Sequence, residues 1–188
     1  MNRVALLIGG NQSLRRSRPK GATCLSRHAL IEQATELIRQ RVGSVVAFSA
    51  VYETEPWGNF GEQAPQNFLN RALLVETELT AHEVLEEALA IEALLGRERP
   101  ARLPRNTRTP RGTREERVYS SRPMDIDIIF YNDEVIDTPD LQVPHPRMHL
   151  RRFVLEPLAE IMPDYRHPQL EKTVKELSNS LQLFMQPV

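Results

Sequence analysis

The segment Arg122-Pro123-Met124-Asp125-Ile126-Asp127-Ile128-Ile129-Phe130-Tyr131 alternates acidic and aliphatic residues. Successive side chains of a β-strand point to opposite faces, so Asp125 and Asp127 share one face, about 6 to 7 Å apart, and Ile126 and Ile128 share the other. One or two hard cations can sit between two such carboxylates and keep coordination sites for water and phosphate. The plain alternative is a half-exposed strand whose acids simply face solvent. Three neighbours favour a site. The strand is otherwise apolar, an arginine-rich segment runs directly into it, and His145 and Arg151 follow around a proline-marked loop. Magnesium, phosphate and arginine belong together physically, because phosphoryl transfer is mostly positioning and charge neutralisation. No GxxxxGK-[ST] loop is present, and Gly9-Gly10 has neither its spacing nor that of a dinucleotide fingerprint.

The arginines are unevenly spread. Nine lie between Arg97 and Arg122, with three acids, three prolines before Gly112 and almost no aliphatic residues. Such a segment has little to bury and reads as a mobile loop or lid, and arginine is the better fork for phosphate oxygens. The chain as a whole carries a formal charge of -1, which argues against nucleic acid or an anionic membrane as partner. Cys24 is the sole cysteine, so neither a disulfide framework nor a thiolate zinc site is available, and a reducing, cytoplasmic setting is expected. The apolar run at Val4–Ile8 is too short for a signal peptide, and no run of 18 apolar residues occurs.

The acids must be held by a core, and 188 residues with 40% hydrophobic and 26% charged content are enough for one domain. Val4–Ile8, closed by Gly9-Gly10-Asn11, reads as a buried strand ending in a turn. A polar loop is expected to about Arg27, then a helix to about Gln40 with Leu30, Ala34, Leu37 and Ile38 on one face and Ser26 as its cap. Val45–Tyr52 and Phe68–Glu76 read as strands, the latter with Phe68, Asn70, Ala72 and Leu74 on one face. Thr80 and Glu83 form a capping box for a helix ending at Gly96. Met124–Tyr131 is a strand, Val135-Ile136 a short one. A helix over Arg151–Glu156, limited by Pro157, and a final one through Leu170, Val174 and Leu177 complete the chain. Strand, helix, strand, strand, helix, strand is the split βαβ arrangement, and the tail helices can cover the second sheet face to give three layers.

Several blocks together carry a family likeness. Gly9-Gly10-Asn11, Tyr52-Glu53-Thr54-Glu55-Pro56-Trp57-Gly58, Asn67-Phe68-Leu69-Asn70, Ile91-Glu92 with Gly96-Arg97, Ser121-Arg122 before Asp125-Ile126-Asp127, and Val143-Pro144-His145-Pro146-Arg147-Met148 resemble, in order, the signature blocks of the 6-hydroxymethyl-7,8-dihydropterin pyrophosphokinases. The resemblance runs from about residue 4 to 162. It implies an α+β, ferredoxin-like βαββαβ core in a three-layer αβα sandwich with extra C-terminal helices, residues 1–188 forming a single domain with a mobile arginine-rich loop over 97–122. The implied activity moves the pyrophosphoryl group of ATP to the hydroxymethyl group of the reduced pterin and releases AMP.

Carried over residue by residue, the resemblance makes Asp125 and Asp127 ligands of two magnesium ions and, with Arg97, Arg99 and Arg122, the catalytic set. Glu92, Ile128, His145 and Arg151 join the same three arginines on the ATP side. Thr54, Pro56, Trp57, Phe68, Asn70 and Phe153 match the pterin pocket, Phe68 and Phe153 as the stacking rings. The implied partners are ATP and the pterin, with no nucleic acid or membrane, and the implied state is a monomer. Read without the resemblance, Phe68 and Phe153 are core residues, Asn70 an exposed strand residue, His145 a surface residue, and Trp57 a lid contact or a plug. Departures are also visible: Gly10 stands where serine is usual, 12–27 and 97–122 are longer, Pro100 replaces a basic residue, Asp140 lies where an arginine can occur, and Pro146 replaces a ring. The rival enzyme, a small nucleotidyltransferase, wants a glycine-serine pair close before its acids. An RNA-binding module on the same sheet wants exposed aromatics and a basic domain, against 6% aromatic content here.

Overall fold

β1 (Asn2–Gly10) is apolar on both sides because both sides are covered. A computed structural model gives the architecture and describes residues 1–18, 21–58, 60, 65–98 and 120–184. β1 lies between β6 (Phe68–Thr77) and β7 (Asp125–Tyr131), antiparallel to each. β4 (Ser44–Phe48) and β5 (Tyr52–Thr54) pair with the far side of β6, giving the order β4-β6-β1-β7. Together with α1 (Arg27–Arg41) and α2 (Ala81–Leu94), this is the expected βαββαβ core.

Val4, Leu6 and Ile8 face α1 and α2, meeting Leu30, Ile38, Val84 and Ile91. Ala5 and Leu7 face the other way, toward α3 (Arg152–Ile161) and α4 (Val174–Phe184). The helices start where their caps dictate. Ser26 Oγ accepts Ala29 N–H at 3.2 Å. At α2, Thr80 N–H donates to Glu83 Oε2 at 2.7 Å while Thr80 Oγ1 accepts Glu83 N–H at 3.4 Å. α4 has the same reciprocal pair at Thr173 and Glu176.

The structure corrects several expectations; the final helix, α4, starts only at Val174 and leaves Leu170 in the turn before it. The loop expected before α1 contains a hairpin, β2 (Leu14–Arg18) with β3 (Gly21–Leu25). Its ladder is backbone pairing, and Leu14 and Leu25 at its base pack on the core, so it needs no apolar alternation. The strand expected over Val45–Tyr52 is broken at Ser49-Ala50. There the Ser49 hydroxyl accepts Ala72 N–H at 3.0 Å, and the Glu160 carboxylate accepts Ala50 N–H at 3.1 Å. α3 continues through Pro157, which is buried with Val154, Leu155 and Leu158; burial of that face offsets the hydrogen bond proline cannot donate. Ile136 pairs with Val143 through β8 (Ile136–Asp137) and β9 (Gln142–Val143), so the short strand starts one residue late. Arg99, Pro100 and the body of the arginine-rich loop expected to be mobile lie outside the described residues.

Candidate active site

The sheet register assembles the floor of the site. Asp127 lies opposite Leu7, Asp125 opposite Gly9, and Gly9 opposite Asn70. These side chains share the face that carries Ala5, Ala72, Ile129 and Phe130 under α3 and α4, but they extend past the helical cover. The uncovered end is a cavity of about 310 Å³. Gly9 is required there, since a Cβ would lie 2.4 Å from Asn70 Oδ1 and 2.9 Å from the Leu69 carbonyl oxygen.

Gly10 is required for a different reason. A Cβ on it would lie 2.2 Å from the Pro123 carbonyl oxygen, so the chain leading into β7 runs directly against the end of β1. Gly10→Ala is expected to cost about 1 to 3 kcal/mol of stability and to slow turnover by displacing Arg122-Pro123. A thermal melt and a single-turnover assay both at parental values would refute this.

Charge is concentrated around Asp125. Arg97 Nη1 bonds its Oδ1, and Arg122 Nε lies 2.9 Å from its Oδ2 as an ion pair without an aligned hydrogen bond. Behind Arg97, the buried Glu92 accepts from Arg97 Nη1 at 2.7 Å and from Ile126 N–H at 2.8 Å. Glu92 thus ties the end of α2 to β7 and fixes where Arg97 points. Burial, with Asp125 alongside, pushes the Asp127 carboxyl up to about 7, against the pull of Arg151 and Arg122. Burial and then Arg151 push His145 down to about 4, so it is neutral at pH 7. Its Nδ1 faces the Arg147 N–H at 3.2 Å. Accepting that bond puts the ring proton on Nε2, a donor beside the carboxylates.

The opposite wall is aromatic. Phe68, Phe153 and Trp57 all line the cavity. The Arg122 guanidinium lies 5.8 Å from the Phe68 ring centre, and that of Arg151 lies 4.9 Å from Trp57 and 5.6 Å from Phe153. Arg151 Nε is buried without a hydrogen-bond acceptor in the protein, a donor suited to an anion. Asn70 Nδ2 donates to Thr54 Oγ1 at 2.8 Å, which orients the amide. A second cavity of about 630 Å³ lies between α2 and the β8–β9 pair, with Leu85, Leu89, Ile128, Leu141 and Gln142 on its walls. The two cavities share Asp127, His145 and Pro146.

Of the residues singled out from sequence, Thr54, Trp57, Phe68, Asn70, Arg97, Arg122, Asp125, Asp127, His145, Arg151 and Phe153 surround the first cavity. Ile128 faces the second, Glu92 stands behind Arg97, and Pro56 lines neither. Arg99 lies outside the described residues. Phe60, Glu55 and Arg147 also line the first cavity and were not singled out; Phe60, 5.9 Å from Phe68, sits in a proline-glycine stretch with no periodicity to mark it.

Among the described residues no group of three or more His, Cys, Asp or Glu side chains is placed to hold a metal ion. Asp125 and Asp127 form a two-carboxylate set, and this fits magnesium, which binds through one or two carboxylates and completes its shell with water and substrate phosphate. Acids of this kind, ringed by arginines and set between two cavities, belong to a phosphoryl-group transferase.

Comparison with known proteins narrows that class. The family model for 7,8-dihydro-6-hydroxymethylpterin-pyrophosphokinase (HPPK) matches residues 20–163. The 2-amino-4-hydroxy-6-hydroxymethyldihydropteridine pyrophosphokinase of Porphyromonas gingivalis is 36% identical over 150 residues, covering 79% of this chain and 90% of that one. The protein of the same name from Bacillus subtilis is 40% identical over 142 residues, covering 75% and 74%. The chain belongs to the 7,8-dihydro-6-hydroxymethylpterin-pyrophosphokinase family. The fold agrees: wild-type Plasmodium falciparum HPPK-DHPS superposes with a TM-score of 0.68 at 16% identity over 95% of this chain. This chain spans 44% of that longer protein.

Proposed function

We propose that the two joined cavities carry out the family's transfer, with the pterin between the aromatic walls of the first and ATP in the second. As a member of the family, the chain is a pyrophosphokinase that moves the pyrophosphoryl group of ATP to a hydroxymethylpterin. The observation that carries the placement is the shared rim. A ring-lined cavity with an oriented amide suits a flat heterocycle, a cavity that sets Leu85, Leu89, Ile128 and Leu141 beside the polar Asp137, Thr138, Asp140 and Gln142 suits a nucleoside, and Asp127 and His145 belong to both.

In this reading the triphosphate crosses the rim, where Arg97, Arg122, Arg151 and the His145 Nε2–H meet its oxygens. Asp125 and Asp127 would hold two magnesium ions that arrive with it. Bound there, magnesium neutralises phosphate charge and lowers the repulsion felt by an incoming oxygen. The pterin hydroxymethyl oxygen attacks the β-phosphorus, the bond from that phosphorus to the α,β-bridging oxygen breaks, and AMP leaves with that oxygen. The hydroxyl proton passes to solvent or phosphate, and the geometry supplies line of approach more than a strong base. Asn70, held by Thr54, reads the edge of the heterocycle with its free donor and acceptor positions. Both substrates in this reading are small molecules, held within a single domain. Among the described residues no helix is long and apolar enough to cross a membrane.

The test is AMP formation from ATP and magnesium, with and without 6-hydroxymethyl-7,8-dihydropterin, by this protein and by Asp127→Ala. The expected result is pterin-dependent AMP that disappears in the variant. AMP release indifferent to the pterin, or none despite tight ATP binding, overturns the assignment of the acceptor.

A further inference from the structure

Asn11 is a buried polar residue, 1% exposed, at the end of β1. Its amide is fully engaged across long sequence distances. Nδ2 donates to the Gln66 carbonyl at 3.2 Å and to Ser121 Oγ at 3.0 Å, and Oδ1 accepts Arg122 N–H at 2.8 Å. The Asn11 and Gln12 backbone N–H groups both donate to the Arg122 carbonyl, at 2.9 and 3.2 Å. Both backbone polar groups of Arg122 are therefore held by residues 11 and 12.

The two segments held in this way lead to Phe68 and Arg122, which both line the cavity. Gln66 stands two residues before Phe68, and the intervening Asn67 carbonyl is held by Arg27 Nη1 at 2.6 Å. Arg122 follows the arginine-rich stretch, and its side chain reaches Asp125 and lies over the Phe68 ring. A long guanidinium arm anchored at a moving backbone loses its aim, and misplacement of about 1 Å is worth about a hundredfold in rate.

We propose that Asn11 is a positioning residue for the transfer. Its side-chain amide locks the backbone ahead of Phe68 and the backbone of Arg122 to the end of β1, and so fixes the phosphate-facing guanidinium relative to the pterin ring. This rests on the placement of substrates given above. Only an amide fits the position: two N–H donors serve two acceptors while the oxygen serves a third partner. Aspartate keeps the acceptor for Arg122 N–H but sets a carboxylate against the Gln66 carbonyl. Alanine removes all three contacts.

The test is a double-mutant cycle on the full chain with Asn11→Ala, Arg122→Ala and the pair, read by single-turnover AMP formation. With the pterin saturating, so that the Gln66 contact ahead of Phe68 does not enter the rate, Asn11→Ala is expected to lower it about 10- to 100-fold in the parent and less than about twofold once Arg122 is alanine, because a residue acting through Arg122 has nothing left to position. Equal losses in both backgrounds would mean that Asn11 only holds the fold and would overturn the proposal. Asn11→Asp is run through the same cycle, so that poor folding of the alanine variant does not remove the test. It is expected to keep most of the rate while weakening pterin binding several-fold; parental pterin binding counts against the Gln66 contact. In parallel, the Arg122 Nε–H resonance of arginine-labelled protein without substrates is expected to shift or broaden in Asn11→Ala, and an unchanged resonance contradicts the proposal. That readout needs no activity. Absence of pterin-dependent AMP in the parent would therefore sink the substrate assignment, while the resonance decides the role of Asn11.

Discussion

Asp127→Asn is expected to reduce pterin-dependent AMP release by about a thousandfold or more and, at the same time, to raise the melting temperature of the substrate-free protein at pH 8. The two effects have one cause. Burial beside Asp125 pushes the Asp127 carboxyl up from 3.8 to about 7, so the folded state holds the proton more tightly than the unfolded chain does. That favourable contribution is complete below the unfolded value and is lost as pH rises through about 7. An asparagine is neutral throughout and escapes the loss. The variant's advantage is therefore absent near pH 4 and largest above pH 7, on the order of a few kcal/mol, with roughly 2 to 4 °C of melting temperature for each. His145 titrates in the opposite sense. Pushed down from 6.5 to about 4, it favours folding above 6.5 and costs stability as pH falls below that, but it is common to both proteins and cancels in their difference. Melting curves from pH 4.5 to 8.5 check the prediction. A constant difference, or a variant less stable at pH 8, contradicts a half-buried, charge-crowded carboxylate at this position.

The same strand shows how far sequence reading reaches. The alternation at Asp125 and Asp127 is a period-two signal, and period two fixes the face. The continuous apolar run at Val4–Ile8 likewise announces a strand covered on both sides, and Thr80 with Glu83 fixes a helix start, because each is a local rule. The family blocks then give the order of elements and most of the cavity lining. Partners far apart in sequence leave no such mark. Arg97 and Arg122 both turn back onto Asp125, one from the end of α2 and one from the approach to β7. Nothing in their spacing distinguishes them from the other arginines between them. Asn11 is visible as part of a block, but the Gln66 and Ser121 contacts that give it a use are 55 and 110 residues away. Pro157 misleads for the complementary reason. The local rule that ends a helix is real, and here a buried apolar face overrides it.

Arg122→Ala is expected to lower the single-turnover rate by about a hundred- to a thousandfold while moving the melting temperature little. The asymmetry follows from the site. Arg122 and Asp125 keep only 22% and 20% side-chain exposure and their contact has no aligned hydrogen bond, so the cost of desolvating the pair cancels much of its attraction. Asp125 also keeps Arg97 on its other oxygen, and Arg97 is itself held by Glu92, so the carboxylate stays aimed when Arg122 is removed. What disappears is the group that touches both halves of the reaction, with its guanidinium at the carboxylates on one side and over the Phe68 ring on the other. Its loss should appear in the rate with both substrates saturating, beyond any weakening of ATP binding. Arg122→Lys restores the charge without the planar fork or the ring contact, and it is expected to recover only a small part of the rate. Full recovery by lysine would reduce Arg122 to a point charge, and a parental rate in the alanine variant would move the phosphate contacts to Arg97 and Arg151.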